Sequence, residues 1–210
     1  MQTYKRDFLF CLYITCLILA NLLGSKITTL GGIRMSVGIF FIPVLFLVTD
    51  VLCEVYGRKE ATRLVFISLI MLVITLGMTA LCIVMPVNPT WDNQAAYLSV
   101  FGSSLRMITA SIIAFIFSQF HDVWAFEFWK KKTKGRFLWL RNTASTVVSQ
   151  FIDTTIFMFV AFYATTPNFT VPFIFSLIIP YWLFKVVLAL FDTPFCYLLV
   201  RWLKGRDSIR

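Results

Sequence analysis

Six long apolar runs constrain this chain more than any other feature of its sequence. Each run is close to the roughly 20 residues that a helix needs to cross the hydrocarbon core of a bilayer. The runs are continuous rather than alternating, so they indicate helices and not the strands of a membrane barrel. The sequence therefore predicts an all-α membrane protein, with one transmembrane domain over residues 1–210 that forms a bundle of six transmembrane helices. The predicted spans cover residues 8–25, 37–57, 64–85, 105–128, 143–165 and 172–200.

Composition agrees with a membrane-embedded chain rather than a soluble one. Hydrophobic residues make up 59% of the 210 residues and charged residues 14%, whereas a soluble domain is about half apolar and about a quarter charged. A cleaved signal peptide is the alternative for the first run, because Lys5 and Arg6 precede it. No cleavage site of small residues follows that run, so we expect it to be retained as a helix.

The basic residues divide the connections between the spans into two classes. Fifteen of the 19 lysines and arginines precede the first span, follow the last, or lie in the connections after spans two and four. The connections at 86–104 and 166–171 contain none, and 26–36 contains two. The positive-inside rule therefore predicts that both termini are cytoplasmic (N-in/C-in). The net charge of +9 is then a topology signal beside anionic lipid, and we expect no nucleic-acid partner.

The sequence offers little support for metal, cofactor or catalytic chemistry. The five cysteines all lie in apolar runs, and none forms a C-x-x-C or other metal-ligand spacing. His121 is the only histidine, which excludes a histidine cluster. No nucleophile stands in an evident pairing with a base. We therefore predict no cofactor, no metal site and no catalytic residue.

Four aspartates lie at similar depth in four different spans. They are Asp50, Asp122, Asp153 and Asp192. At about 1.5 Å per residue, helix direction places them roughly 9–15 Å from the cytoplasmic ends of their helices. Ionisable side chains in a bilayer are costly and normally face a protein interior or a water-filled cavity. We expect the set to mark a functional site, and a cavity shared by all four is a hypothesis.

A short pattern occurs twice in these spans, as SQFHD at 118–122 and as SQFID at 149–153. In each copy the serine and the glutamine stand four and three residues before the aspartate, so the three side chains lie on one helix face. Such faces can line one pocket between helices. Alternatively, the serines and glutamines only join helices to each other by hydrogen bonds.

Other charged residues have competing interpretations. Asp50 and Glu54 are four residues apart and share a helix face, but Glu54 is also close enough to a helix end to reach interfacial water. Lys185 stands seven residues before Asp192 on one helical stripe, where it can line the pocket or only neutralise that aspartate. Arg106, near the outer start of span four, is a candidate gate or ligand contact.

The mixture of carboxylates, amides and aromatic residues suits a shaped site for a small polar heterocycle. A carboxylate beside an amide complements adjacent N–H donors next to a carbonyl acceptor, and guanine-like bases have such an edge. Aromatic side chains can stack on the faces of these bases. An ion channel would require a ring or a filter instead. Transport of a small heterocycle is one interpretation among several on these residues alone.

Six stretches of the chain resemble the queuosine-precursor transporter family. They are ANLLGSK (20–26), VTDVLCEVYGRKEA (48–61), FGSSLRMITAS (101–111), SQFHD (118–122), RNTASTVVSQFIDTTIF (141–157) and FKVVLALFDTPFCYL (184–198). They occur in order and touch five of the six spans. The resemblance implies a multi-pass importer in the bacterial inner membrane, not an enzyme. Its substrates would be 7-cyano-7-deazaguanine or 7-aminomethyl-7-deazaguanine, precursors of the queuosine in tRNA.

The motif positions supply the predicted site. The predicted substrate-binding residues are Asn21, Asp50, Glu54, Gln119, Asp122, Gln150, Asp153, Lys185 and Asp192. The predicted gate or accessory residues are Lys26, Arg106, Ser118 and Ser149. We expect one of the two repeated aspartates to accept hydrogen bonds from N1–H and the exocyclic amine of the base. One of the two repeated glutamines is expected to meet its carbonyl oxygen.

Several alternatives stay open at this point. The chain can be a binding subunit for another vitamin-like ligand that depends on a separate ATPase, as in the energy-coupling-factor importers to which this family looks related. A membrane-embedded enzyme is a less favoured alternative. Proton coupling through a buried carboxylate and facilitated entry followed by metabolic trapping both fit the acidic residues. A homodimer also fits a small six-helix unit in a lipid bilayer.

Overall fold

The computed structural model describes residues 2–132, 138–191 and 193–204. Within these ranges the secondary structure consists of seven α-helices, one 3₁₀ helix and one two-stranded hairpin. In chain order they are α1 Gln2–Leu23, β1 Ile27–Leu30, β2 Ile33–Ser36, the 3₁₀ helix Val37–Phe41, α2 Ile42–Tyr56, α3 Arg58–Val84, α4 Gln94–Lys132, α5 Leu138–Phe162, α6 Val171–Phe191 and α7 Thr193–Lys204. The fold is mainly helical, which confirms that part of the prediction.

Several of these helices are suited to a membrane. In the described part of the chain, four segments are long and apolar enough to cross one: Thr3–Leu23, Val37–Tyr56, Lys59–Val84 and Gln94–Ser118. Two shorter apolar helical segments are Val147–Phe162 and Val171–Val187. The chain is therefore a multi-pass membrane protein. The bundle of six spans and the single domain over residues 1–210 stay predictions.

Two boundaries differ from the predicted spans. α4 begins at Gln94, so the second half of the predicted connection at 86–104 is helical. At about 1.5 Å per residue, this 39-residue helix is roughly 58 Å long and exceeds the thickness of the hydrocarbon core, which is about 30 Å. The predicted sixth span, 172–200, contains the end of α6 and the start of α7, which flank Asp192. Asp192 itself lies outside the described residues.

The connection at 26–36 forms a β-hairpin that the sequence patterns above did not predict. Gly31 and Gly32 join its two strands, and both have positive φ, 56° and 80°. A two-residue type I′ turn requires positive φ at both of its central positions, which glycine adopts without strain. At the base of the hairpin, the amide of Val37 donates to the carbonyl of Lys26 at 2.9 Å. The Gly-Gly pair is the sequence signal that could have identified the turn.

Contacts divide the chain into two compact units. The first unit comprises Met1–Thr28, Ser36–Ile108 and Val187–Arg210, and the second comprises Thr29–Met35 and Thr109–Val186. Both copies of the repeated pattern therefore belong to the second unit.

An apolar core holds the helices of the first unit together. Its buried residues are Leu9, Val48, Val51, Leu52, Leu64, Val200 and Leu203. α2 is central to this core, because it packs against α1, α3 and α7. The first and last helices also touch each other. The ammonium of Lys5 donates to the carbonyl of Trp202, and the rings of Phe8 and Trp202 are 6.4 Å apart.

The end of α1 packs closely against its neighbours in the first unit. Ser36 Oγ donates to the carbonyl of Gly24, and Ser104 Oγ donates to the carbonyl of Leu22 at 2.9 Å. These bonds satisfy carbonyls that a helix end leaves without an intrahelical partner. A Cβ on Gly24 would overlap the preceding turn and lie 2.8 Å from Met107 Cε. The close approach therefore requires glycine at this position.

α3 has an apolar exposed face. Its exposed side chains include Phe66, Ile70, Val73, Ile74, Met78 and Leu81. The buried residues Leu64, Ser68 and Leu72 are four residues apart and therefore share the opposite face. Ser68 Oγ donates to the carbonyl of Leu64 at 2.8 Å, so its hydroxyl is satisfied within the helix. Such an exposed face is expected of a scaffold helix in contact with lipid.

Candidate functional site

The polar centre of the second unit is an ion pair between α5 and α6. Lys185 Nζ donates to Asp153 Oδ2 at 2.8 Å. Lys185 is 8% exposed, and the side chain of Asp153 is 26% exposed. Taking a charge out of water is costly unless a partner and further hydrogen bonds compensate it. The pairing therefore explains how two ionised groups are accommodated between apolar helices.

Aromatic and backbone contacts hold α5 and α6 in the register that forms the pair. Trp182 Nε1 donates to the carbonyl of Val147 at 3.2 Å, and its ring packs edge-on against Phe151 at 5.5 Å. Pro180 lies inside α6, where the missing amide N–H removes one backbone hydrogen bond. The buried ring of Tyr181 follows, and its centroid is 5.8 Å from the ammonium of Lys185 one turn later.

Gln150 contributes an unsatisfied acceptor one turn before Asp153. Its Oε1 atom is buried and has no hydrogen-bond partner within the ranges that the structure describes. Residues three apart share a helix face, so this amide lies on the side of α5 that carries Asp153. A buried carbonyl oxygen without a partner costs about 1–3 kcal/mol. Such an atom is rare in folded proteins, and a bound water or ion is one explanation. Two further atoms of this kind in the described ranges are Glu60 Oε2 in the first unit and Thr155 Oγ1 in the second.

The two copies of the repeated pattern use their serines differently. Ser118 Oγ donates to the carbonyl of Phe115 in its own helix at 3.1 Å. Ser149 Oγ lies 3.1 Å from Nδ1 of His121, which belongs to the first copy. Hydrogen bonding therefore connects the second copy to α4 as well as to α6. His121 was not among the predicted site residues, because a lone histidine in an apolar helix carries no sequence signal for this contact.

The predicted site residues are distributed over both units. Ser118, Ser149, Gln150, Asp153 and Lys185 belong to the second unit. Asn21, Lys26, Asp50, Glu54 and Arg106 belong to the first. The side chains of Gln119 and Asp122, and all of Asp192, lie outside the described residues. The sequence suggested Asp192 as the partner of Lys185, and the partner that the structure describes is Asp153.

In the first unit, Asn21 is buried at 3% exposure, and its Nδ2 donates to the carbonyl of Leu17 at 2.9 Å. This bond runs within α1 and is typical of a polar side chain accommodated by its own helix. The other predicted residues of this unit are more accessible. Lys26, Asp50 and Glu54 are exposed, and Arg106 is partly buried.

A largely apolar groove of about 480 Å³ lies along α4 in the second unit, lined by Ile116, Phe117, His121 and Trp124. Three of these side chains are exposed apolar residues, as expected of a surface in contact with lipid. Neither Asp153 nor Lys185 lines it. We therefore place the candidate site by the ion pair and the unsatisfied amide rather than by this groove. In the described ranges, no three His, Cys, Asp or Glu residues are grouped to hold a metal ion.

A family model and two relatives match most of the chain. Residues 36–199 match the family described as "Putative vitamin uptake transporter". A protein of Bacillus subtilis (strain 168), named "Probable queuosine precursor transporter", is 35% identical over 182 residues, 86% of this chain and 78% of that protein. The "Queuosine precursor transporter" of Escherichia coli (strain K12) is 27% identical over 191 residues, 90% of this chain and 83% of that protein. No solved structure matches the chain.

Proposed function

Since the chain belongs to the queuosine precursor transporters of the vitamin uptake transporter family, we propose that it imports 7-deazaguanine precursors of queuosine. The substrates are 7-cyano-7-deazaguanine, 7-aminomethyl-7-deazaguanine or both. The observation that carries this proposal is the 35% identity to a queuosine precursor transporter over 86% of the chain. The names of the relatives imply transport without chemical change of the ligand.

The proposed binding site is centred on Asp153 and Gln150. A 7-deazaguanine base has two adjacent groups of N–H donors, N1–H and the exocyclic amine, beside a carbonyl oxygen. Proteins recognise such an edge through hydrogen bonds that match each donor and acceptor. The carboxylate of Asp153 supplies an acceptor for the N–H groups, and the unsatisfied Oε1 of Gln150 supplies a second one. These contacts would remove the cost of the buried orphan acceptor when the base binds.

The proposed topology has six spans in the bacterial inner membrane, with both termini cytoplasmic. Two observations support it. The basic residues cluster in the connections that this topology places inside. In the first unit, Lys5 of α1 also contacts Trp202 of α7. A contact between the first turn of α1 and the last turn of α7 is expected when both termini lie on the same side of the membrane. Such an arrangement has an even number of crossings.

Uptake in cells tests the function directly. The cells lack both their own synthesis of the precursor and their own importer, and they receive labelled 7-cyano-7-deazaguanine. We expect queuosine to form in tRNA when wild-type protein is present and to fall strongly with Asp153→Asn. Lys59→Gln changes an exposed lysine at the start of α3 and serves as the matched control. Absence of queuosine with wild-type protein correctly inserted in the membrane contradicts the proposal.

The same assay separates this function from that of a binding subunit. Transport by this chain alone supports a self-sufficient importer, whereas transport only with a co-expressed ATPase indicates the subunit of an energy-coupling-factor importer. Accumulation measured with and without a protonophore distinguishes proton coupling from facilitated entry. Recovery of a chemically altered ligand from purified protein would indicate an enzyme.

A further inference from the structure

We propose that Lys185 reads the carbonyl oxygen of the ligand, so that this lysine selects a base with an oxo group at ring position six over one with an amino group there. The inference rests on the proposed function, because it concerns how the same site recognises a 7-deazaguanine. It differs from the expectation drawn from the sequence, which gave that contact to a glutamine and named Lys185 as a substrate-binding residue without assigning it an atom of the ligand.

In the described part of the chain, the hydrogen bonds of Lys185 use only part of its capacity. A lysine ammonium has three N–H donors and no acceptor. Among the residues that the structure describes, its hydrogen bond goes to Asp153 Oδ2 at 2.8 Å. The face of Tyr181, 5.8 Å away, offers a cation–π contact but no acceptor of ordinary strength. The ammonium is therefore a buried cation with donors left for a ligand.

Gln150, in contrast to Lys185, has an acceptor atom that lacks a donor among the described residues. Its atom without a partner is the carbonyl oxygen, which can only accept. A ligand that satisfies Gln150 must offer an N–H group there rather than a carbonyl. Asp153, one turn later on α5, is also an acceptor when ionised. The α5 side of the site thus presents acceptors, and the α6 side presents a charged donor.

This arrangement complements the edge of a guanine-type base. The exocyclic amine and N1–H meet the acceptors on α5, and the carbonyl at position six meets the ammonium of Lys185. An amino group at position six would bring N–H donors against an ammonium that cannot accept. The amino group would then be buried without an acceptor, and the ammonium would keep only Asp153, which is an arrangement that gives polar sites strong discrimination. A 6-amino base also lacks N1–H and presents N1 as an acceptor, so the acceptors on α5 disfavour it independently of Lys185. We expect Lys185 to contribute about 10–100-fold to the preference of the wild type for the oxo base, the effect of one charge-assisted hydrogen bond.

A purely structural lysine makes a different prediction. If Lys185 only neutralised Asp153, its replacement would weaken binding of every base that uses Asp153 by a similar factor. The ratio between an oxo base and an amino base would then stay unchanged. The ratio of two affinities measured on one preparation therefore separates the two roles, and incomplete folding affects both affinities equally.

The experiment measures binding of 7-deazaguanine and 2,6-diamino-7-deazapurine to purified protein in detergent by isothermal titration. In Lys185→Gln the side chain is neutral and its amide can either donate or accept, so we expect the preference to fall by about 10–100-fold, to the part that the acceptors on α5 impose through N1. Lys185→Arg keeps a cationic donor and should retain the preference for the oxo base. Lys59→Gln, at an exposed lysine, should behave as the wild type.

The outcomes distinguish the inference from the function on which it rests. A wild type that binds neither 7-deazaguanine nor 7-cyano-7-deazaguanine contradicts the proposed function. A Lys185→Gln protein with the wild-type ratio, or with equal loss of both bases, contradicts the role of Lys185 and leaves the function intact. A ligand series on the wild type gives a test without any variant. Equal affinity for 7-deazaguanine, its 6-amino analogue and its analogue with hydrogen at position six would overturn the inference.

Discussion

Three buried polar side chains of the first unit and the ion pair of the second unit are accommodated in different ways. In the first unit, Asn21, Ser68 and Ser104 each donate to a backbone carbonyl, and the core around them is apolar. In the second unit, the side chains of Asp153 and Lys185 join two helices as a charged pair, and the nearby amide of Gln150 is incompletely bonded. A polar residue in an apolar helix therefore does not mark a site by itself. The way in which such a residue is hydrogen-bonded is what indicates a site.

The energetic consequences of the two arrangements also differ. A hydroxyl bonded to a carbonyl of its own helix, as at Ser68, adds little to stability. A buried ion pair gives little net stability, because replacing it by apolar residues is often neutral or stabilising. Its presence in an apolar environment is therefore better explained by binding than by folding. The comparison predicts that substitutions in the first unit change stability without changing ligand binding, and that those around the ion pair change ligand binding.

The largest effect is expected from separating the ion pair. Lys185→Met leaves Asp153 without its cation and should lower the free energy of unfolding by about 2–4 kcal/mol. Breaking a buried pair costs about 3–5 kcal/mol, and we reduce that figure because the carboxylate is 26% exposed. In the double variant Asp153→Asn/Lys185→Met, both charges are absent and most of the stability should return, while binding of 7-cyano-7-deazaguanine stays lost. Chemical unfolding in detergent and isothermal titration measure the two quantities.

A double-mutant cycle on the same proteins provides the decisive comparison. The interaction energy should be clearly non-zero, because the two side chains are in direct contact. Lys59→Met, at an exposed position, should leave stability within about 0.5 kcal/mol of the wild type. If the double variant is no more stable than Lys185→Met, the pair has no role in accommodating the charges, and the contrast between the units fails.

The next largest loss of stability is expected where the first unit is closely packed around Gly24. Gly24→Ala should lower the free energy of unfolding by about 1–3 kcal/mol, because the added methyl overlaps the preceding turn and Met107. Gly77→Ala in α3 is the matched control. Its Cβ would meet nothing within 4 Å, and alanine is the better helix former by about 0.5–1 kcal/mol. Thermal unfolding in detergent compares the two proteins.

Ligand binding by the folded fraction of the two glycine variants is measured as well. Both glycine variants should bind 7-cyano-7-deazaguanine with the affinity of the wild type, because Gly24 and Gly77 belong to the first unit. A Gly24→Ala protein of normal stability with weakened binding would reverse the assignment of scaffold and site.

The sequence predicts the fold well where one physical constraint acts alone. Lipid requires long apolar helices, so each run of hydrophobic residues overlaps helical structure, although α4 begins well before its predicted span. Hydropathy alone does not predict the hairpin, because the hairpin lies in a short connection between apolar runs. Gly31 and Gly32 nevertheless carry a turn signal, since both adopt positive φ. The early start of α4 was missed for a similar reason. Helices can continue beyond the apolar segment, and hydropathy does not register that continuation.

The site was less predictable because it depends on contacts between helices. Helical periodicity shows which side chains share a face within one helix, so it offered Asp192 as the partner of Lys185. The partner that the structure describes, Asp153, is 32 residues away in the chain and meets Lys185 through the packing of α5 on α6, whereas Asp192 lies outside the described residues. The missing partner of the Gln150 carbonyl has no counterpart in any sequence pattern. Only coordinates distinguish a satisfied amide from an unsatisfied one.

The repeated pattern gives the smallest and most specific prediction, because two identical serines have different surroundings. Ser118→Ala removes a bond to the serine's own helix and should change the free energy of unfolding by less than about 0.5 kcal/mol. Ser149→Ala removes the contact with His121 and should cost about 1 kcal/mol. Combined with His121→Phe, it should show a coupling that Ser118→Ala does not. Equal costs for the two serines, or an equal coupling, would mean that the copies are interchangeable. The hydrogen bonding of the serines would then not distinguish the two copies, and the candidate site would rest on the ion pair and the amide of Gln150 alone.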